Sequence, residues 1–355
     1  CREFEKEFAA FVGTQYSVAL SNGTLALDVA LKAMGIGAGD DVIVTSRTFL
    51  ASASCIVTAG ANPVFADVDL NSQNISAETI KAALTPNTKA IIVVHLAGMP
   101  AEMDAIMDLA KEHNLWVIED CAQAHGAKYK GKSVGSIGHV GAWSFCQDKI
   151  MTTGGEGGMV TTNDKELWSK MWSYKDHGKS YDAVYHREHA PGFRWLHESF
   201  GTNWRMMEMQ AVIGRIQLKR MPEWTARRQA HTAKLAESLG KFASIRLVEV
   251  ADYIEHAQYK FYVFVKPKHL KDGWTRDRIV NELNARKVPC YQGSCSEVYL
   301  EKAFDDTPWR PKERLKNAVE LGDTSLMFLV HPTLTDEEIA FCKENIEAVL
   351  TEATA

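Results

Sequence analysis

Two stretches of the chain combine residue types that chemistry needs. The first, Val117-Ile118-Glu119-Asp120-Cys121-Ala122-Gln123-Ala124-His125-Gly126, is an apolar run that ends in acids. A strand of that pattern puts the Asp120 carboxylate at the edge of a sheet, partly buried and calling for a cationic partner, or else capping the loop that follows. The second, Ala142-Trp143-Ser144-Phe145-Cys146-Gln147-Asp148-Lys149, leads into Gly154-Gly155-Glu156-Gly157-Gly158, four glycines in five positions. Glycine at that density means backbone that approaches something closely, and Lys149 sets a cation beside it. Lys149 follows Asp120 by 149 − 120 = 29 residues, near enough for both to meet at one ligand. A surface lysine ahead of a flexible loop is the plainer alternative.

A third candidate is Ser21-Asn22-Gly23-Thr24, between an apolar run and a helical stretch. A glycine and a threonine opening a helix aim unpaired N–H groups, a hydroxyl and the positive end of the helix dipole at one spot, which suits a phosphate. An ordinary N-cap uses the same residues. Gly35-Ile36-Gly37-Ala38-Gly39-Asp40 is no dinucleotide loop, because it follows a helix and precedes a strand. His186, His189 and His197 lie among aromatics but without a cysteine or carboxylate at ligand spacing, so no metal site is expected. Cys290 and Cys295 read as packing thiols and His331, before Pro332, as structural.

The elements that must position these residues follow from periodicity. Short β-branched runs at Tyr16–Leu20, Asp41–Thr45, Pro63–Val68, Ala90–His95 and Trp116–Asp120 alternate with helical patterns at Thr24–Met34, Ala51–Ala59, Ala77–Leu84 and Met103–Asn114. Such alternation implies βαβ crossovers and a mostly parallel sheet covered on both faces, with the ligand beyond the carboxyl ends of the strands. Helices are expected at Lys165–Tyr174, Met206–Arg220, Pro222–Leu239, Thr275–Arg286 and Thr335–Thr351, and strands at Ile245–Val250 and Tyr259–Val265. An irregular segment is expected up to about Asn203. The change of style near residue 235 places a large domain at 1–235 and a small one at 236–355.

Composition agrees with an enzyme-sized globular protein. The chain has 355 residues, 46% hydrophobic and 24% charged, with a net charge of −5 from well-mixed acids and bases. No basic stripe invites nucleic acid, and no apolar stretch approaches the roughly 20 residues of a membrane span. Seven cysteines without framework spacing read as reduced thiols of a cytoplasmic protein. Residue 1 is cysteine, so the chain reads as trimmed and leaves a lost targeting segment open.

Taken in order, Asp120-x-x-Gln123-Ala124-His125-Gly126, Ser144-Phe145-x-x-x-Lys149 with Gly155-Glu156-Gly157-Gly158, and Gly201-Thr202-Asn203-Trp204-Arg205-Met206 with Gln210-Ala211 resemble the DegT/StrS-type sugar aminotransferases. The resemblance runs from Phe4-Glu5-Lys6-Glu7-Phe8 to His331-Pro332-Thr333-Leu334-Thr335. It implies an α/β fold of the type I pyridoxal-phosphate class, with a mostly parallel central sheet, a smaller α+β C-terminal domain, and a homodimer whose active site is shared. It further implies pyridoxal 5'-phosphate as cofactor, Lys149 as the lysine that bonds the cofactor aldehyde and moves the substrate proton, and Asp120 as the partner of the pyridine nitrogen. Gln123 matches the position near the ring's phenolic oxygen, Phe49 the stacked aromatic, Gly23, Thr24 and Ser144 the phosphate site, and Asn203 the residue that reaches the phosphate from the neighbouring subunit. The implied reaction turns a keto sugar, nucleotide-linked, into an amino sugar for polysaccharide or amino-sugar biosynthesis, with glutamate as donor and 2-oxoglutarate as by-product. Alternatives within the resemblance are a free keto sugar acid such as a keto-octulosonate, a dehydratase, and a non-catalytic regulator. Some dehydratases of the family replace the lysine by histidine, so Lys149 favours transamination. Many relatives carry a histidine two or three residues before the lysine, where this chain has Cys146, Gln147 and Asp148.

Overall fold

The computed structural model describes residues 1–355. The first 120 residues alternate α1 (Arg2–Val12), β1 (Tyr16–Leu20), α2 (Gly23–Ala33), β2 (Asp41–Thr45), α3 (Ala51–Thr58), β3 (Asn62–Ala66), α4 (Ala77–Ala83), β4 (Thr88–Val94), α5 (Met103–Glu112) and β5 (Trp116–Asp120). Strands β1, β2 and β5 occupy the expected residues, while β3 and β4 begin slightly before their apolar runs. Helix α1 lies outside the expected set; its Phe4, Phe8 and Val12 recur every four residues and are all buried. Then come the hairpin strands β6 (Lys128–Tyr129) and β7 (Lys132–Ser133), followed by β8 (Val140–Ser144), β9 (Gly158–Thr162), α6 (Lys165–Lys175), α7 (Tyr181–Tyr185), α8 (Glu208–Leu218) and α9 (Met221–Leu239). Short helix α7 interrupts the segment read as irregular. The chain ends with β10 (Ile245–Leu247), β11 (Ile254–Glu255), β12 (Phe261–Val265), α10 (Arg276–Ala285), β13 (Cys290–Tyr291), α11 (Lys316–Thr324), β14 (Ser325–Phe328) and α12 (Asp336–Ala353).

Seven strands build the central sheet in the order β1-β9-β8-β5-β4-β2-β3. Only β9 runs against its neighbours, so the other six point the same way and end on one edge. Both faces are covered, as the side-chain period of two requires. Val42, Val44, Ala90, Ile92 and Ile118 join a core with helices α2, α3 and α6. Their sequence neighbours Ile43, Ile91, Val93 and Val117 join a second core with α4 and α5. The fold is therefore α/β with a mostly parallel sheet between helical layers.

The remaining strands form an antiparallel sheet, β10-β12-β14-β13, whose apolar face packs against α10, α12 and the end of α9. A third, small sheet, β11-β6-β7, pairs β11 with β6, bringing the segment after residue 250 back onto the first half of the chain. No helix is long and apolar enough to cross a membrane.

Candidate active site

The strand ends on the common edge carry the residues that chemistry needs. Helix α2 starts right after β1. The Asn22 side chain caps it by accepting from the Leu25 N–H at 3.0 Å. The Gly23 and Thr24 N–H groups remain free at the positive end of the helix. Ser144, the last residue of β8, packs directly against this helix start: a Cβ on Gly23 would lie 2.5 Å from the Ser144 Cβ and 2.9 Å from its Oγ. Only glycine lets the hydroxyl and the helix N-terminus come so close.

The Gly-rich loop explains itself differently from its sequence pattern. A Cβ on Gly158 would meet the Asn22 carbonyl oxygen at 2.2 Å, and one on Gly157 the Thr153 Oγ1 at 2.0 Å. The close approach is made to the chain itself, closing the loop and seating β9 beside the start of α2. Phe145 N–H donates to the Gly157 carbonyl at 2.8 Å and Gln147 N–H to that of Gly155 at 2.9 Å. The loop is braced from below by Phe4 and Phe8 of α1, whose rings lie 5.4 and 5.3 Å from that of Phe145.

Asp120 and Glu119 end β5 pointing to opposite faces, and their surroundings differ accordingly. Glu119 is fully buried and saturated: it accepts from the backbone N–H groups of Gly135 at 2.8 Å, Ile137 at 2.8 Å and Gly138 at 2.6 Å, and its Oε2 lies 3.0 Å from His95 Nε2. The Ala101 N–H donates to His95 Nδ1 at 3.1 Å, which leaves Nε2 as the protonated nitrogen. This cluster, with the Cys121 thiol within 4.8 Å of both side chains, is a hydrogen-bonded brace. Asp120 is also buried but accepts only from the Ser52 hydroxyl at 2.8 Å and the Ala122 N–H at 3.1 Å. No ion pair supplies the expected cationic partner. Burial pushes its carboxyl above the usual range, against the hydrogen bonds and the nearby charge of Lys149.

Lys149 sits in the loop after β8, partly buried, with Nζ 3.3 Å from the Asp148 Oδ2 and 5.6 Å from the centre of the Tyr259 ring. Gln123 holds its carboxamide in place by accepting the Ala97 N–H at 2.7 Å, so its NH2 group remains to donate. Phe49 precedes α3 and is 70% exposed, an unusual value for a large aromatic at a sheet edge. Its loop is pinned by Arg47, which is wholly buried, donates to Gln73 at 3.1 Å and to Ser325 at 3.3 Å, and lies over the Tyr262 ring. Asn203 is exposed, in a segment tied to the end of β1 through the bond from Ser21 N–H to the Trp204 carbonyl at 3.0 Å. No hydrogen bond links its side chain to Gly23, Thr24 or Ser144 of its own chain.

Other residues singled out in the sequence take structural places. His125 is buried against Trp143 and Phe145 and held neutral, its pKa pushed down to about 3 by burial. His186 and His197 are exposed, and His189 bonds the Ala183 carbonyl at 2.6 Å. All seven cysteines are free. Cys290 is buried, but Cys295 is exposed and contributes its backbone carbonyl to Thr48, not a packed thiol. His331 bonds Thr333 in a turn. A groove lined by Asp69, Glu78, Glu102, Glu249 and Tyr253 contains none of the site residues.

Sequence reasoning missed Ser52, Tyr259 and the brace on Glu119. Ser52 had a signal, as a hydroxyl on the otherwise apolar inward side of α3 with Ala53, Cys55 and Ile56. Tyr259 had none, since only the fold brings it to Lys149.

The donors present fit pyridoxal phosphate: free helix N–H groups and a hydroxyl for a phosphate, a buried carboxylate for a ring nitrogen, an amine for an aldehyde. Comparison with known proteins agrees. Residues 1–347 match the model of the DegT/DnrJ/EryC1/StrS aminotransferase family. The solved structure of an aminotransferase from Psychrobacter cryohalolentis is 62% identical, superimposes with a TM-score of 0.98, and is covered to 91% by 99% of this chain. GDP-perosamine synthase of Caulobacter vibrioides is 38% identical over 344 residues, 95% of this chain and 86% of that protein. The spore coat polysaccharide biosynthesis protein SpsC of Bacillus subtilis is 36% identical over 98% of this chain and 88% of its own length.

Proposed function

Since the chain belongs to the DegT/DnrJ/EryC1/StrS aminotransferase family, we propose that it moves an amino group from L-glutamate to the ketone of a nucleotide-linked sugar. It is a pyridoxal-phosphate-dependent aminotransferase of fold type I. The observation that carries the reading is the arrangement at one sheet edge of Asp120, Lys149 and the open N-terminus of α2 beside Ser144. The nucleotide link rests on the name of the GDP-perosamine synthase relative, and glutamate on family habit.

When bound, the cofactor supplies an electron sink that stabilises charge at the reacting carbon. The residues of this chain divide the remaining work. The Gly23 and Thr24 N–H groups and the Ser144 hydroxyl hold the phosphate. Asp120 keeps a proton on the ring nitrogen, its charge favoured there by the cation it faces. The free NH2 of Gln123 would donate to the ring oxygen, and Phe49 would cover the ring and exclude water. Lys149 would be the amine that holds the cofactor through its aldehyde, and its nitrogen would be the group placed to carry a proton to and from the substrate carbon.

A homodimer completes the site in this reading, with Asn203 reaching the phosphate of the neighbouring subunit. Exposed Phe200, Met207, Met209, Val212 and Ile216 flank Asn203 along the chain and suit burial against a second copy. A division at residue 235 is supported by Leu235 and Leu239 of α9, which belong to the core of the antiparallel sheet. The unpaired thiols suit the cytoplasm.

The test is spectral. Protein loaded with pyridoxal phosphate should absorb in the visible and lose that band on addition of L-glutamate, regaining it with 2-oxoglutarate. Lys149→Ala should lack the band and lose transamination by at least about a thousandfold. A colourless wild-type protein in excess cofactor would sink the reading; a band that ignores glutamate would sink the donor alone.

A further inference from the structure

The Asp148 Oδ2 accepts two bonds, from Lys149 Nζ at 3.3 Å and from the Tyr259 hydroxyl at 2.7 Å. Tyr259 is itself tied down. Its N–H donates to the Ala97 carbonyl at 2.9 Å, and Ala97 N–H is the group that holds Gln123. Its own carbonyl accepts from Arg228, a wholly buried arginine of α9 with no carboxylate partner, at 3.3 Å. Tyr259 leads directly into β12, so a residue at the root of the antiparallel sheet grips the acid next to the lysine. Burial alone would raise the Asp148 carboxyl, yet the bond from Tyr259 and the charge of Lys149 outweigh it and hold it below its usual range.

Resting on the proposed function, we propose that Asp148, fixed by Tyr259, is the positioning residue that aims the Lys149 amine and holds its proton. Other charged or titratable groups around Lys149 are Asp120 at the end of β5, His125 after it, Lys260 beside Tyr259, and Arg228 beyond. Asp148 is the carboxylate that bonds the amine directly. His125 is neutral and hydrogen-bonds nothing. The sequence departure Cys146-Gln147-Asp148 thereby gains a purpose, because Asp148 adjoins the lysine in the chain as well as in space.

The experiment titrates the loaded enzyme without turnover, following the pH midpoint of its visible absorption change, which reports protonation at the Lys149 nitrogen. A carboxylate beside a cation favours the protonated form, so Asp148→Asn should lower the midpoint by about one pH unit, a tenfold weaker hold on the proton. Tyr259→Phe keeps the packed ring and removes only the hydroxyl; in that background Asp148→Asn should shift the midpoint by less than half as much, because the acid is no longer held in place. A midpoint that ignores Asp148, or an Asp148 effect of equal size with and without the Tyr259 hydroxyl, overturns the inference while leaving the proposed function standing. A wild-type protein with no visible band overturns both.

Discussion

Asp120→Asn should make the cofactor-free protein more stable while destroying its catalysis. In the wild type the carboxylate is buried at the end of β5 with two donors, the Ser52 hydroxyl and the Ala122 N–H. Hydrogen bonds to a charged group contribute about 1.5–3 kcal/mol each. The carboxyl is nonetheless raised, so desolvation of the charge exceeds what the bonds and Lys149 return. Asparagine at this position keeps both bonds. Its Oδ1 accepts from Ala122 and its NH2 donates to Ser52 Oγ, whose own proton turns to Thr48 Oγ1, 2.9 Å away. Removing a buried charge stabilises by about 1–3 kcal/mol, an upper figure because the second amide N–H gains no partner. With an unfolding entropy of about 2.1 cal/mol/K per residue, that raises the melting midpoint of a chain this long by about 1–4 °C.

The sign of the pH dependence follows. A carboxyl whose folded pKa lies above its unfolded value costs stability when ionised, so the wild-type penalty is present at neutral pH and fades as pH falls through that raised pKa. The gap between the two proteins should therefore narrow on acidification. Scanning calorimetry at two pH values checks this, alongside the glutamate half-reaction of the loaded proteins, where Asp120→Asn should fall by at least about a hundredfold because the ring nitrogen loses its carboxylate. A cofactor-free Asp120→Asn protein less stable than wild type at neutral pH would refute the energetic argument, and retained activity would refute the role.

Two further outcomes are expected. Gly23→Ala puts a methyl 2.5 Å from the Ser144 Cβ, so the helix start and the hydroxyl must separate, and cofactor affinity measured by absorbance titration should fall by about tenfold or more with the fold intact; unchanged affinity would remove this corner from the phosphate site. Glu119→Gln turns an amide NH2 toward groups that can only donate, among Gly135, Ile137, Gly138 and His95; it should lower stability by about 3–5 kcal/mol in calorimetry, and a loss under about 1 kcal/mol would mean the brace is not needed.

The sequence by itself determined the alternation of strands and helices, because periods of two and 3.6 are written directly into the chain, and β1, β2 and β5 lie on the residues their apolar runs mark. It also determined which residues crowd the carboxyl edge, since Gly23, Ser144, Asp120 and Lys149 each follow or end a strand of the same direction. Periodicity was silent on short elements such as β6, β7 and β13, whose two residues carry no period at all. Of the adjacent acids Glu119 and Asp120, pattern says only that they face opposite ways; which one is saturated and which stays available depends on the Gly135–Gly138 turn that folds over one face and not the other. The glycine loop reads as a ligand cradle, but packing against Asn22 and Thr153 uses its missing side chains. Tyr259, 111 residues after Asp148, reaches the lysine only because β11 and the segment after it return to pair with the first half of the chain. Such contacts depend on where separate elements dock, which is a property of the packed whole and leaves no mark on local spacing.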